Sequence, residues 1–156
     1  MSEFGGCPGS RMMDLRGRDT QEEGPATKVA SQLRNWPIQL HLISAQAPYY
    51  QGADVLLAAD CTAFALGGLH NDYLKGKSLA IACPKLDQGQ EVYVEKIKDL
   101  IEKARINTLT VLTMQVPCCA GLVNLAMQAL SASARKVPVK SVVVSLQGEI
   151  LSEEWI

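Results

Sequence analysis

The sequence has no marked excess of charge of either sign. Its 15 Lys and Arg residues nearly balance its 16 Asp and Glu residues, which leaves a formal net charge of −1. Proteins that bind nucleic acid or anionic lipid electrostatically present a basic surface, and this composition does not indicate one. Aromatic residues are also scarce, at 5% of the chain. We therefore expect neither nucleic acid nor a membrane surface as a partner.

Long apolar runs are missing as well. No uninterrupted apolar stretch approaches the ~20 residues that a membrane-spanning helix needs. The N-terminal MSEFGGCPGSRMMDLRGRD lacks the apolar centre of a signal peptide. These absences predict a cytoplasmic protein without a membrane span. Structural disulfides are uncommon in a reducing compartment, so the five cysteines favour metal binding, redox chemistry or plain burial.

The signatures of several enzyme and ferredoxin classes are absent from the sequence. There is no Gly-x-Gly-x-x-Gly after a strand-like run and no GKS or GKT phosphate loop, so neither a Rossmann dinucleotide site nor a P-loop NTPase is predicted. A Gly-x-Ser-x-Gly elbow is missing. The ferredoxin series of cysteines separated by two residues is missing too. Any functional site must therefore be assembled from distant positions.

Short apolar runs recur along the chain from about Ser31. Continuous runs rich in β-branched residues are typical of strands covered on both faces, as in a parallel sheet. WPIQLHLI (36–43) instead alternates apolar and polar residues, which indicates a half-buried or edge strand. The continuous runs are ADVLLAAD (53–60), KSLAIACP (77–84), LTVLTMQV (109–116) and VKSVVVSL (139–146).

Segments with helical period lie between these runs. A helix over 92–104 and a second over 121–136 are predicted from their apolar stripes, and the cations Arg135 and Lys136 suit the C-terminus of the second. A weaker helix over 62–74 is expected to break at Gly67-Gly68. The PYYQ segment forms either a single helical turn or an antiparallel edge strand. The last residues either form a hairpin around Gln147-Gly148 or trail along the sheet edge.

Strand–helix–strand alternation of this kind predicts right-handed βαβ units. We expect a three-layer α/β sandwich with a mostly parallel sheet of about five strands, Rossmann-like or flavodoxin-like. Residues 1–30 are rich in Gly and charge and show no apolar period, so we expect a flexible arm or linker remnant there. Residues 31–156 then form a single α/β domain.

Cysteines follow three consecutive predicted strands. Cys61 comes directly after the first of these strands, Cys83 ends the second, and Cys118 and Cys119 follow the third and open the next helix. In open α/β sheets ligands bind at the carboxyl ends of the strands, so these thiols fall where chemistry is usually located. A helix N-terminus favours a thiolate, at Cys119 first and at Cys61 next. Four thiolates suit a soft metal ion or an iron–sulfur cluster.

Each of these residues also has a simpler structural interpretation. Free cysteines are often just buried. Asp60 is most simply the N-cap of the following helix, with a role beside the site as the alternative. Lys85 either stabilises a thiolate or an anionic cluster, or pairs with Asp87 in a solvated loop. Three further residues are weighed in the same way. His41 lies on a strand face. His70 lies in an exposed loop, with metal ligation as the alternative, and Glu91 begins a helix, with acid–base work as the alternative.

Three segments together resemble a known family. LRNWPIQLHLISAQAPYYQGADVLLAADCTAFA, ACPKLD and MQVPCCAGL are similar to the C-terminal α/β domain of a group of anaerobe ferredoxin-like iron–sulfur proteins. In that group a dicluster ferredoxin domain precedes a GCPGS-containing linker, and the resemblance runs from about Gly6 to Glu149. It aligns the family's cysteines with Cys7, Cys61, Cys83, Cys118 and Cys119.

This chain departs from the family pattern in two ways. It has no ferredoxin domain, so we expect either a piece of a longer protein or a standalone relative. Ala120 also stands where glycine is expected after the paired cysteines. Cys7 is either an additional ligand or an exposed thiol in the arm.

Three functions remain open from the sequence. The first is an iron–sulfur or metal-binding redox accessory domain for electron transfer, with Cys61, Cys83, Cys118 and Cys119 as ligands. Lys85 and Asp60 would lie beside the cofactor, and the partner would be a ferredoxin domain or another redox protein. The second is a thiol redox enzyme or sensor without metal, with Cys119 as nucleophile and another cysteine as resolving thiol. The third is a protein-interaction module with buried, inert cysteines.

Overall fold

The fold is known from a computed structural model, which describes residues 12–16, 28–117 and 120–156. Its centre is a five-stranded sheet in the order β2-β1-β3-β4-β5. The strands are β1 (Asp54–Ala59), β2 (Ser78–Ala82), β3 (Thr108–Met114), β4 (Val139–Val144) and β5 (Ile150–Trp155). The first four are parallel, and β5 returns antiparallel to β4. The prediction of a mostly parallel α/β sheet is confirmed.

Helices cover both faces of this sheet. α2 (Gln90–Glu102) joins β2 to β3, and α3 (Ala120–Ala132) joins β3 to β4. The link from β1 to β2 contains a single-turn helix, α1 (Thr62–Ala65), and a π-helical turn, His70–Leu74. The β1–β2 link crosses the sheet in one direction, whereas the links that contain α2 and α3 cross it in the other direction. Right-handed crossovers of opposite direction lie on opposite faces of a sheet. The result is the expected three layers.

Apolar periodicity explains the helices. The predicted stripe of α2 is buried, with Tyr93, Ile97 and Ile101 at 0% exposure. α3 ends four residues before the predicted position, and the Lys136 ammonium donates to the Leu130 carbonyl at 2.6 Å. The expected cation at this helix end is therefore present, although it lies beyond the helix.

The segment 36–43 does not form the strand that its alternation predicted. Only Gln39 makes a bridge, to Ile81 of β2, and the chain then turns, with the Leu42 N–H bonded to the Gln39 carbonyl at 2.7 Å. The alternation reflects a half-buried segment laid along the edge of β2. There the Asn35 amide side chain replaces a strand, because it bonds both the N–H and the carbonyl of Leu79 at 2.8 and 3.0 Å.

Two alternatives were open for the PYYQ segment and two for the C-terminal residues, and the structure decides both. Pro48–Tyr50 forms a 3₁₀ turn, and the C-terminal residues form the hairpin around Gly148. That glycine has φ +85°, and a Cβ there would lie 2.5 Å from the Ala65 carbonyl oxygen. Most of the predicted arm, and Cys7 with it, falls outside the described residues. None of the helices in the described ranges is long and apolar enough to cross a bilayer.

Candidate functional site

The strand order creates a switch point at the carboxyl end of the sheet. The chain leaves β1 toward β2 on one side, whereas β3 lies on the other side of β1. In flavodoxin-like sheets, whose parallel strands share this order, ligands bind in the crevice beside the first strand at that point. Asp60 and Cys61 follow β1 directly, and Cys83 follows β2.

A backbone hydrogen bond joins these two strand ends. The Asp60 N–H donates to the Ala82 carbonyl at 3.2 Å, one residue before Cys83. Cys61 is exposed and Cys83 is half-buried. Because parallel neighbours lie about 4.8 Å apart, Cys61 and Cys83 share one edge of the sheet, as the sequence predicted.

The turn that carries Cys83 is held by its own hydrogen bonds. The Asp87 carboxylate accepts from the Cys83 N–H at 2.9 Å, and the Asp87 N–H donates back to the Cys83 carbonyl at 2.9 Å. The Leu86 N–H points at the Cys83 sulfur, with 3.4 Å between nitrogen and Sγ. These bonds together fix the position of Cys83 within the turn.

Asp87 is also bonded from the side of α2. The Tyr93 hydroxyl donates to Asp87 Oδ2, and the His41 ring stacks on Tyr93 with centroids 4.2 Å apart. His41 Nε2 donates to the Gln88 carbonyl at 2.6 Å, since a carbonyl oxygen can only accept. Burial opposes ionisation of Asp87, but the bonds from Tyr93, Cys83 and Gln39 outweigh it, and the pKa of this carboxyl lies below its ordinary value. The expected pairing of Asp87 with Lys85 is therefore replaced by these bonds.

Asp60, unlike Asp87, lacks hydrogen bonds from the described residues to its buried oxygen. Its Oδ1 is buried and has no hydrogen-bond partner within the described part of the chain. Burial first, and the Asp87 charge second, raise the pKa of Asp60. The N-cap interpretation of Asp60 is wrong, because Cys61 stands at the cap position of α1 and no side chain bonds there. α1 is also only one turn long, so it supplies little of the positive potential expected at Cys61.

Cys118 and Cys119 lie outside the described residues. The segments on either side of them are described: β3 ends at Met114, and α3 begins at Ala120. Within α3, a Cβ on Gly121 would lie 3.3 Å from the Pro84 side chain. The first turn of α3 therefore packs on the turn that carries Cys83. The predicted start of this helix near residue 120 is confirmed.

The other candidate residues are dispersed. Lys85 is exposed on the turn. His70 belongs to the π-helical turn rather than to an exposed loop, and its Nδ1 accepts from the Gln32 N–H at 3.0 Å. Glu91 lies in the first turn of α2, as expected. Over residues 12–16, 28–117 and 120–156, no three His, Cys, Asp or Glu side chains are grouped so as to hold a metal ion.

A family model for the Rossmann-like domain matches residues 47–156. The chain belongs to this family. It is also 25% identical, over 119 residues, to an uncharacterized protein of Archaeoglobus fulgidus, a match that covers 76% of this chain and 83% of that relative. No solved structure matches the chain. Membership in the Rossmann-like domain family agrees with the sheet order and the helices on both faces.

Sequence reasoning missed the side chains that position Cys83. Tyr93 was predicted only as a core residue of α2, and Gln39 as part of a strand. One signal was available for Tyr93, because a buried tyrosine normally finds a partner for its hydroxyl. The acidic residue of the CPKLD turn, six residues before Tyr93, was one candidate partner.

Proposed function

We propose that this chain holds an iron–sulfur cluster or another soft metal ion through Cys61, Cys83, Cys118 and Cys119. The observation that supports this proposal is the common edge of Cys61 and Cys83, on neighbouring parallel strands at the switch point of the sheet. Such a domain would serve as a redox accessory module for electron transfer.

The described residues fit a soft metal by their chemistry. Thiolates are the preferred ligands of iron–sulfur clusters and of soft metal ions. Cys61 is an exposed residue at this edge. The Leu86 N–H donates to the Cys83 sulfur, and this bond helps to fix the position of the proposed ligand. A bound cluster would supply one-electron transfer.

In this proposal the residues around the cysteines have specific roles. Asp87 fixes the backbone of Cys83 through its bond to the N–H. Lys85, exposed on the same turn, supplies positive potential beside the thiolates. Asp60 lies between the two strand ends, where its N–H bonds β2. These residues position and balance the ligands, and they are not themselves proposed as ligands.

The proposed partner is a ferredoxin domain or another redox protein. Support for it comes from the resemblance of the ADC, CPKLD and PCC segments to domains that follow a dicluster ferredoxin in anaerobes. In such an arrangement the carboxyl edge of the sheet would face the electron donor.

A second candidate is a thiol redox enzyme or sensor without metal. The exposure of Cys61 and the half-burial of Cys83 favour it over an interaction module with inert, buried cysteines. Cys119 would act as nucleophile and another cysteine would resolve the mixed disulfide.

Anaerobic purification separates these functions. The proposal expects visible absorption with bound iron and acid-labile sulfide, both lost in Cys83→Ser and Cys119→Ser. Colourless protein with two rapidly alkylated thiols would instead support the thiol enzyme. Metal-free protein whose four thiols resist alkylation until unfolding would support the interaction module.

A further inference from the structure

β5 differs from the rest of the sheet because both of its faces are open to solvent. Every residue of β5 is exposed, whereas β1 is buried from Val55 to Ala59. Large apolar side chains are nevertheless frequent on this strand. Ile150, Leu151, Trp155 and the following Ile156 are between 38% and 60% exposed. Several large apolar residues left exposed on one strand are typical of an interaction surface.

The outer edge of β5 also has backbone groups available for pairing. β5 pairs with β4 on one side, and no strand lies on its other side within residues 12–16, 28–117 and 120–156. The Ile156 N–H donates to the Val139 carbonyl at 2.9 Å, so Ile156 directs its hydrogen-bonding groups toward β4. Because this direction alternates along a strand, the N–H and carbonyl groups of Trp155 and Glu153 point away from β4. Such a row of groups can pair with one more strand.

The sequence of this segment matches itself in the antiparallel direction. It reads ILSEEWI over residues 150–156, and Glu153 is its central residue. When two identical strands pair antiparallel about that centre, three further contacts form, each of them twice: Ser152 with Glu154, Leu151 with Trp155, and Ile150 with Ile156. Apolar residues thus face apolar residues, and polar residues face polar residues. A strand from a different protein would not require this symmetry, so the pattern favours a second copy of this chain.

Glu153 would meet Glu153 of the second copy at the centre of this pair, where like charges are unfavourable. The chain already provides an opposite charge at this position. The Lys140 ammonium forms an ion pair with Glu153, and the Tyr73 hydroxyl donates to the same carboxylate at 3.2 Å. The two carboxylates therefore come together with two ammonium groups, and these four side chains carry no net charge.

From this geometry we propose that β5 pairs antiparallel with β5 of a second copy of this chain, about a two-fold axis at Glu153. The two five-stranded sheets then become continuous, and each β5 becomes an inner strand. A bulge at Val143 and Val144 ends the regular ladder near Leu151, so the paired segment is short. Because short interfaces bind weakly, we expect a reversible dimer. The inference does not rest on the proposed function, since β5 carries no cysteine.

Sedimentation equilibrium of the full chain tests the proposal. The protein is measured over about three decades of concentration around the micromolar range, with a reductant that prevents disulfides between copies. We expect the average mass to rise from that of one chain to that of two and to stop there, because a two-fold pair is closed. The outward N–H groups of Glu153 and Trp155 should exchange with solvent about tenfold more slowly once the dimer forms.

Two variants at Glu153 separate backbone pairing from charge. Glu153→Pro removes an N–H that points away from β4, a position at which edge strands tolerate proline, and it should weaken association by about tenfold or more. Glu153→Gln keeps this N–H and removes the two like charges, so it should associate at least as tightly as the wild type. Circular dichroism and urea denaturation verify that both variants are folded.

A third variant tests the register. Ser152→Lys places an ammonium opposite Glu154 of the second copy, twice in each dimer, so the dissociation constant should fall by about threefold or more. Gln147→Lys adds the same charge at an exposed position outside the paired segment, and its dissociation constant should equal that of the wild type. This comparison also decides the proposal if Glu153→Pro does not fold.

Several results would overturn this inference. A wild-type chain that keeps the mass of one copy at every concentration would exclude the dimer, and a mass that grows beyond two copies would exclude the closed pair. A folded Glu153→Pro that associates as tightly as the wild type would exclude pairing through β5. If Ser152→Lys associated no more tightly than Gln147→Lys, the register would be wrong.

Discussion

At the scale of single residues, Asp60 and Asp87 show how the same type of side chain takes opposite roles at one edge of the sheet. Asp87 accepts bonds from Tyr93, Cys83 and Gln39, which hold the pKa of its carboxyl below the ordinary value against the effect of burial. Asp60 has a buried oxygen that no described residue bonds, and burial first and the Asp87 charge second raise its pKa. Asp87 is thus built into the cysteine turn, whereas no hydrogen bond from a described residue reaches the buried Oδ1 of Asp60.

The first prediction concerns Asp87→Ala. The substitution leaves the Cys83 N–H and the Tyr93 hydroxyl without their acceptor, so the free energy of unfolding should fall by about 2 kcal/mol. Urea denaturation measures this change. Glu95→Ala, on the exposed side of α2, is the control and should change stability by less than about 0.5 kcal/mol.

The same variant should expose the positioning role of Asp87. Because the turn is no longer tied to the carboxylate, alkylation of Cys83 should become faster under native conditions. Unchanged stability together with an unchanged alkylation rate would show that Asp87 does not hold the turn.

At the scale of elements, the edge of β2 depends on a side chain rather than on a strand. Asn35 is 6% exposed, and its amide bonds both backbone groups of Leu79. The segment around it crosses the edge with one bridge and then turns away. An edge covered in this way does not present free backbone groups at Leu79 for pairing with another chain.

The second prediction tests this replacement. Asn35→Ala leaves the buried N–H of Leu79 unpaired, whereas the Leu79 carbonyl still accepts from the Tyr50 hydroxyl at 2.7 Å. The free energy of unfolding should therefore fall by about 1–3 kcal/mol. Asn71→Ala, at an exposed position, is the matched control. The two variants are compared by thermal and urea denaturation, and equal stabilities would contradict the role assigned to Asn35.

The elements also show which sequence signals were sufficient. The apolar runs predicted β1 to β4, and the stripe beginning at Tyr93 predicted α2, because burial on a sheet or on one helix face leaves a regular period. The same rule misassigned 36–43. Its alternation arises from half-burial along an edge, and the hydrogen bonds of Asn35 that replace strand pairing join residues 44 positions apart.

The site was predictable in location but not in detail. The carboxyl ends of neighbouring parallel strands share an edge, so the positions of Cys61 and Cys83 followed from the strand assignments. The Asp60 environment did not follow, because Asp before a helix usually caps it. Here the helix is one turn long, Cys61 stands at its cap position, and Asp60 Oδ1 is buried without a hydrogen-bond partner among the described residues.

At the scale of the whole molecule, the amino end of the parallel strands contributes stability at neutral pH that is lost in acid. The Asp54 carboxylate accepts from the Thr108 hydroxyl at 2.7 Å and from the Asn107 amide at 2.8 Å. These bonds, Thr108 first, lower the pKa of Asp54 from its ordinary value of 3.8. They link the start of β1 to the start of β3.

The third prediction follows from that lowered pKa. A carboxyl whose folded pKa is depressed stabilises the protein above its unfolded pKa, and this contribution is lost as the pH falls through the folded pKa. Asp54→Asn should therefore be less stable than the wild type by about 1 kcal/mol at pH 7, and the difference should shrink as the pH falls below about 4.

Urea unfolding across pH 7 to pH 3 measures this difference. Thr108→Val removes the first donor and keeps Asp54. This variant, like Asp54→Asn, should lose less stability than the wild type between pH 7 and pH 3. A difference between wild type and Asp54→Asn that stays constant across this range would contradict the assignment.

The central claim also concerns the whole molecule, because its ligands come from three separate strand ends. If Cys61, Cys83, Cys118 and Cys119 form one site, removing any one of them should disrupt the whole site. Cys7 lies in the N-terminal segment before this fold, and it is the natural matched control.

The decisive measurement is iron and acid-labile sulfide per chain after anaerobic reconstitution, with all five single Cys→Ser variants prepared beside the wild type. The account predicts that wild type and Cys7→Ser bind equal amounts, and that each of the other four variants loses most of its iron and sulfide. Iron and sulfide retained in full by Cys61→Ser and Cys83→Ser, or missing from the wild type, would contradict it.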